Sequence, residues 1–271
     1  MDAVTKDLQR PVPWTLLYAD DVMLASNDKN ELEVLVQAWS DRLAQFGLRL
    51  NVRKTEYLSS EVNDPGTIAI EGTELVRVST FKYLGSTIAC DGDLSSEVNA
   101  RVSSAWTKWR ASTGVLCDRK IPERLKSKIY RTVVRPVALY GAECLKEVER
   151  RLSVMEMKML RWMAGVTRLD RKTNVEIRER FGVAPIPDKL RESRLRWYGH
   201  VLRASDDTVC KIGLGLDIQG TRPRGRPKQR WLDTIHEDLK AERIHPDHAR
   251  DREVWRQRIG KADPASKRDK R

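Results

Sequence analysis

Cysteine is sparse in this sequence. The 271 residues contain four, Cys90, Cys117, Cys144 and Cys210, and none belongs to a Cys-x-x-Cys pair. That argues against a zinc ribbon and against a disulfide scaffold. A reducing compartment is therefore expected, placing the protein inside the cell, in cytoplasm and nucleus. Long apolar runs are missing too. No stretch approaches the ~18 residues that a membrane-crossing helix needs. The first ten residues carry Asp2, Lys6, Asp7 and Arg10 around no apolar centre, so no secretory leader is expected. Negative charge is in short supply: 39 Asp and Glu face 51 Lys and Arg, a net of +12. Such a balance favours an anionic partner, nucleic acid before membrane. What the chain does have is 40% hydrophobic residues and eight tryptophans, enough for a core and too much for a disordered chain. Its length suggests two domains at roughly 150 residues each.

The charge is uneven. Residues 1–100 hold nine Lys and Arg against sixteen Asp and Glu, and residues 101–271 hold 42 against 23. An acidic head can hold cations, and a basic body can hold phosphates. Long helices that carry Lys and Arg only for solubility would look the same.

Periodicity orders the head as strands and one helix. Trp14–Leu17 and Val22–Ala25 are apolar runs separated by Tyr18-Ala19-Asp20-Asp21, a hairpin with acid at its bend. Asn27 or Asp28 is an N-cap signal. Leu32, Leu35, Val36, Trp39, Leu43 and Phe46 follow at helical spacing, and Gly47 ends the run. Short strands are expected at Leu48–Leu50 and around Tyr57–Leu58. A second hairpin is expected across Gly72, and a further strand over Phe81–Ile88. Beyond Asp93 the period becomes helical. Stripes start at Val98, Leu125, Leu145, Leu190 and Trp231, and Pro136 should kink or end the second of them. The stripe from Leu145 to Trp162 repeats every three or four residues, as the core face of a packed helix does. From Ala262 the tail is polar and expected to fray.

Two adjacent carboxylates at a hairpin tip repel each other, and a divalent cation relieves that repulsion. Mg²⁺ is suited, because it takes one or two carboxylates and completes its shell with water and substrate phosphates. Turns are rich in Asp for other reasons, so a solvated bend is the competing reading.

Three segments in order carry a family resemblance. Leu16-Leu17-Tyr18-Ala19-Asp20-Asp21-Val22-Met23-Leu24 resembles the signature hairpin of reverse transcriptases. Gly47-Leu48-Arg49-Leu50-Asn51-Val52-Arg53-Lys54-Thr55-Glu56 is similar to the segment that follows it there. Phe81-Lys82-Tyr83-Leu84-Gly85-Ser86 is similar to a later strand of the same enzymes. The pattern resembles the non-LTR, LINE-type retrotransposon group. Arg196-Trp197-Tyr198-Gly199-His200-Val201 and 222–231 resemble C-terminal segments of those elements.

The resemblance implies an α+β fold: a partial polymerase palm over 1–93, a helical thumb over 94–170, and a basic helical C-terminal region over 171–271. It implies RNA-directed DNA polymerase ancestry, with an RNA template, a DNA primer and deoxynucleoside triphosphates as partners and no membrane. Asp20 and Asp21 would bind Mg²⁺ of a two-metal site, Asp20 foremost. Tyr18 would lie beside the primer terminus. Lys54 would face the triphosphate, or be a surface turn lysine. Tyr83, Leu84 and Gly85 would steady the primer end, or Tyr83 would be a core residue of the sheet.

Two departures qualify the likeness. Two-metal polymerases take a further aspartate from an earlier palm strand, and only 17 residues precede Tyr18 here. Asp2 and Asp7 sit in a polar lead-in. The chain therefore resembles the back half of such an enzyme, with an incomplete metal site, and is expected not to polymerise alone. Gly141-Ala142-Glu143-Cys144 also runs straight into Leu145-Lys146, where a longer connector would be expected.

The basic body offers phosphate contacts on its first two thumb helices through Arg101, Lys108, Arg110, Arg119, Lys120, Arg124, Lys126, Lys128, Arg131 and Arg135. Residues 221–230 form an extended Arg/Pro linker, with Arg222, Arg224, Arg226, Lys228 and Arg230 at every second position. This spacing resembles an AT-hook laid along a minor groove. A basic linker touching phosphates without base preference fits equally. A non-catalytic nucleic-acid-binding module is thus the alternative to the enzyme. His245 and His248 lack a cysteine at ligand spacing and are read as a loop.

Overall fold

The computed structural model describes residues 1–60, 66–142, 148–167, 169–216 and 230–264. They divide into two compact units, described separately. One comprises Met1–Ser96 with 205–216, the other 97–204 with the described residues from Arg230 onward.

The first unit is a set of short hairpins on one helix. After α1 (Asp2–Thr5) and a 3₁₀ turn, β1 (Thr15–Tyr18) and β2 (Asp21–Leu24) pair antiparallel, Tyr18 opposite Asp21 and Thr15 opposite Leu24. Asp28 then caps α2 (Lys29–Gln45), its carboxylate accepting the Glu31 backbone N–H at 2.8 Å. Gly47 closes the helix at φ +71, a backbone that favours glycine.

Strand pairing departs from expectation in three places. Leu48–Leu50 forms no strand; a 3₁₀ turn (Val52–Lys54) leads into β3 (Glu56–Tyr57). The Gly72 hairpin exists but is short, with β4 (Ala69–Ile70) against β5 (Thr73–Glu74). The chain then continues as β6 (Val76–Arg77), which pairs parallel with β3. The segment expected as one strand at 81–88 is itself a hairpin. Its strands are β7 (Thr80–Tyr83) and β8 (Ser86–Ala89), joined by Leu84 at φ +49 and Gly85 at φ +81. Two left-handed residues are what a two-residue hairpin turn demands, and the Leu-Gly pair was hidden inside an apolar run. Among the described residues every sheet has two strands. The core beneath them is small: Val36, Tyr57, Ile68, Ile70 and Leu75, flanked by Leu24, Leu32, Leu50 and Val52.

The second unit is helical. It runs α3 (Ser95–Arg110, entering from the first unit), α4 (Thr113–Leu116), α5 (Glu123–Ile129), α6 (Arg135–Leu139), α7 (Val148–Ala164), α8 (Asn174–Phe181) and α9 (Ile186–Arg203). After α10 (Val209–Gly215), which belongs with the first unit, come α11 (Trp231–Glu242) and α12 (Arg252–Ile259). The stop expected at Pro136 takes the form of a wide π turn over Tyr130–Val134. The proline falls in the first turn of α6, where a missing N–H costs no bond. Leu145 and the connector at 143–147 lie outside the described residues, but Val148, Leu152, Met155 and Met159 of that stripe are buried.

One hydrophobic core runs from Val98 to Leu190 and a second from Leu195 to Ile259. Helix α9 serves both. Ile186 and Leu190 face the first; Leu195, Tyr198 and Val201 are buried further along. Where the cores meet, the Arg194 guanidinium is buried between Asp238 of α11 (2.6 and 3.1 Å) and Glu149 of α7 (2.7 Å). Within the first core, the fully buried Glu156 accepts hydrogen bonds from the Tyr130 hydroxyl (3.0 Å), the Arg178 Nε (3.2 Å) and the Ile186 backbone N–H (3.2 Å). The expected fraying of the tail does not reach Asp263. Arg135 donates to it twice, at 2.6 and 2.7 Å, and the Ala184 N–H donates at 3.0 Å.

Two stability predictions follow from this packing. A Cβ on Gly199 would stand 2.3 Å from Nε1 of Trp255, whose indole N–H donates to the Leu195 carbonyl at 3.0 Å. Gly199→Ala should cost about 1–3 kcal/mol in a urea melt, the range for overpacking. Gly213→Ala, with nothing within 4 Å, should cost nothing. Burial raises the Glu156 carboxyl above its ordinary pKa, against the pull of Arg178, Tyr130 and the Ile186 N–H. The folded state therefore keeps this proton to higher pH than the unfolded state does. Stability contributed by the group is present below its ordinary pKa and lost as pH rises through the folded value. Urea midpoints measured from pH 4.5 to 8 should fall less steeply in Glu156→Gln than in the parent. Glu156→Ala, which strands Arg178 and Tyr130, should cost about 3–5 kcal/mol.

Candidate active site

The hairpin is anchored at its root and free at its tip. Thr15 is buried, its hydroxyl accepting the Arg10 N–H at 3.0 Å. Leu24 packs on the small core, and the Ala25 N–H donates to the Trp14 carbonyl at 2.8 Å. The strands are half-buried. The turn residues are Ala19 and Asp20. Ala19 stands at φ +55, a left-handed backbone that costs an L-residue roughly 1–2 kcal/mol. That conformation turns the chain within two residues and leaves Tyr18, Asp20 and Asp21 exposed together.

The second hairpin meets this tip electrostatically. The Tyr83 phenol is pushed above its ordinary pKa by burial first and by the charge of Asp21 second. Tyr83 stacks on Phe81, ring centres 6.3 Å apart, and Leu84 and Gly85 form the turn beside it. Four of the expected residues, Tyr18, Asp20, Asp21 and Tyr83, thus lie at paired hairpin ends. Lys54 ends an exposed 3₁₀ turn and makes no ion pair among the described residues.

The acidic residues of the lead-in are engaged elsewhere. Asp7 receives both terminal nitrogens of Arg42, at 2.5 and 2.6 Å, and Asp2 accepts from Gln9 at 2.8 Å. The Arg42 hydrogen bonds hold the Asp7 carboxyl below its ordinary pKa. Among the described residues no three His, Cys, Asp or Glu side chains converge as a metal cluster. His245 turns its Nδ1 to Asp247 at 3.1 Å, inside a 3₁₀ turn. Asp20 and Asp21 can offer two carboxylates to one Mg²⁺; among the described residues no third His, Cys, Asp or Glu joins them in a cluster.

Residues 1–88 match the family model of reverse transcriptase (RNA-dependent DNA polymerase). That match spans both hairpins and the Lys54 turn. A transposon-derived, uncharacterized protein of Caenorhabditis elegans is 26% identical over 262 residues, covering 89% of this chain and 92% of that protein. No solved structure matches. The reverse transcriptase match ends before α3, whereas the likeness to the nematode protein covers 89% of this chain.

That unit corrects part of the expected phosphate surface. Arg101 is buried against Glu97 at 2.6 Å and lies over the Tyr140 ring. Lys126 is buried, donating to the Met163 carbonyl at 3.2 Å. Arg135 is spent on Asp263. These three cations are structural, because a buried charge must be paired. Lys108, Arg110, Arg119, Lys120, Arg124 and Lys128 are exposed, and Arg131 is half-exposed, 3.8 Å from Asp263. Of the Arg/Pro linker only Arg230 is among the described residues; it precedes α11, its N–H donating to Asp233 at 2.9 Å. Arg222, Arg224, Arg226 and Lys228 lie outside them. No helix is long and apolar enough to cross a membrane among the described residues. Two exposed rows, Arg196, His200 and Arg203 on α9 and Arg252 and Arg256 on α12, were not among the cations expected to touch phosphate, although Arg196 and His200 lie in a segment that carried the resemblance. Their spacing of three or four residues was the signal that could have found them.

The proximity of Asp21 to Tyr83 is directly testable. Asp21→Asn should lower the Tyr83 phenol pKa, read by ¹³Cζ tyrosine NMR against pH. The shift should remain partly raised, because burial is the larger cause.

Proposed function

We propose that this chain derives from the reverse transcriptase of a non-LTR, LINE-type retrotransposon and holds template and primer strands without extending them by itself. The observation that carries this reading is the exposed pair Asp20 and Asp21 on a strained two-residue turn, inside the segment that matches the reverse transcriptase model. The nematode relative, transposon-derived by name and similar over nearly its whole length, supports a transposon origin. In this reading Asp20 and Asp21 hold Mg²⁺, which supplies positive charge for the triphosphate and the primer hydroxyl. Tyr18 lies beside the primer end, Tyr83 braces it from the neighbouring hairpin, and Lys54 faces incoming phosphate. The RNA template and DNA primer would lie along the exposed cations of α3 and α5, contacts that carry little sequence information.

Inability to polymerise alone rests on the donor set. Two-metal phosphoryl transfer clamps both the attacking and the leaving oxygen. Two carboxylates, with no third ligand clustered beside them among the described residues, supply half of that clamp. The same observation favours the second reading, a nucleic-acid-binding module without catalysis.

Primer extension with the purified chain, oligo(dT) on poly(rA), Mg²⁺ and dTTP tests the proposal. Incorporation should stay at background, while the same template–primer is bound. Asp20→Asn with Asp21→Asn should leave that binding within about twofold. Incorporation that disappears in the double variant would overturn the claim of inactivity.

A further inference from the structure

Helix α9 has two faces. Arg194, Leu195, Tyr198 and Val201 are buried, and Gly199 lies against the indole of Trp255 on α12. The opposite face carries Arg196, Trp197, His200 and Arg203, and α12 sets Arg252 and Arg256 across from them. These six side chains line a groove of about 530 Å³. That volume falls within the range of ligand pockets, about 300–1,000 Å³.

The groove is cationic and largely uncompensated. Glu192 pairs with Arg196 at one edge. Arg203 donates to the Ala249 carbonyl at 2.6 Å and forms no ion pair among the described residues. Its pKa is lowered by burial and then by the charges of Arg252 and Arg256, so the three cations are close enough to repel. Arg252 and Arg256 form no ion pair among the described residues. Clustered guanidinium groups without carboxylates repel one another, and an anion that bridges them relieves the repulsion.

An aromatic platform lies among these cations. Trp197 is 43% exposed, a large apolar surface left in water on an otherwise packed helix. The His200 ring sits 5.2 Å from it, tilted by 31°. Phosphate alone has no use for an exposed indole, and an acidic peptide needs no flat one. A nucleotide in a strand uses both: its base offers a π-face and its flanking phosphates offer charge. A base can stack on a side chain only when it is free of its own stack, which selects a single strand over a duplex.

We infer that the α9–α12 groove binds a single-stranded nucleic acid segment, one base stacked on Trp197 and the adjoining phosphates held by Arg203, Arg252 and Arg256. The site is separate from Asp20 and Asp21 and does not depend on their role. It would let the helical unit hold a strand whatever the hairpins do.

Fluorescence anisotropy of the full chain with a fluorescein-labelled 12-nucleotide RNA of mixed sequence, and with the same DNA, tests this. Trp197→Ala should weaken binding about 5- to 150-fold, the range for loss of one stacked base. Arg252→Gln with Arg256→Gln should reduce the slope of log affinity against log salt by about 1.4, two phosphate contacts on a single strand. All three side chains are exposed, and melting curves that match the parent establish that the variants fold. Asp20→Asn with Asp21→Asn should leave this binding unchanged, which separates it from the polymerase reading. Folded variants that bind either oligonucleotide with parental affinity and salt slope would overturn the inference. So would variants that lose binding only to phosphatidylserine vesicles.

Discussion

A single buried guanidinium organises the helical unit. Arg194 is 1% exposed, and an uncompensated charge at that depth would be prohibitively costly. Its partners stand on different helices, Asp238 on α11 and Glu149 on α7. The charge therefore constrains both helices relative to α9 as firmly as the apolar contacts do. Once that side of α9 is committed inward, Arg196, His200 and Arg203, roughly half a turn around the helix from Arg194, face outward, and Trp197 beside them is exposed. The groove follows from the same helical geometry that buries Arg194. Gly199 adds the close approach: without a Cβ it lets the Trp255 indole lie against α9, which brings Arg252 and Arg256 into range.

The hairpin unit is built on a different economy. The cluster beneath its strands is five buried side chains, and its sheets are two strands wide, both among the described residues. The shape of the tip comes from local devices: a left-handed Ala19, with a buried Thr15 and a packed Leu24 anchoring the root. Strain at a turn that presents two carboxylates is what a chain retains when geometry there matters more than local stability. A pair of like charges on such a turn gains from a cation, which connects the strained backbone to the chemistry proposed for it.

Legibility in the sequence followed the range of the interaction. The hairpin at Asp20 and Asp21 was readable because both strands and the turn lie within ten residues. Asp28, Gly47 and the face Leu35, Val36, Trp39 and Leu43 were readable because capping and helical period are local rules. The parallel pairing of β3 with β6 was not, since it joins residues twenty apart whose two-residue strands carry no period. The Leu84-Gly85 turn was masked by apolar neighbours, and Phe46 and Trp197 sit at core-like spacing yet lie exposed. Arg101, Lys126 and Arg135 looked like phosphate ligands because charge in a sequence carries no depth.

The sequence by itself determined the first hairpin with its acidic turn, α2 with its Asp28 and Gly47 ends, the helical stripes beyond Asp93, and the contrast between an acidic head and a basic body. These depend on neighbours within a few residues, where backbone sterics and side-chain period decide. Tertiary structure alone decided which cations are spent internally and which face water. It also placed Asp263 on Arg135 from 128 residues away. Only packing decides that, because a charge near another in space has no trace of it along the chain, and burial turns the nearest carboxylate into a required partner.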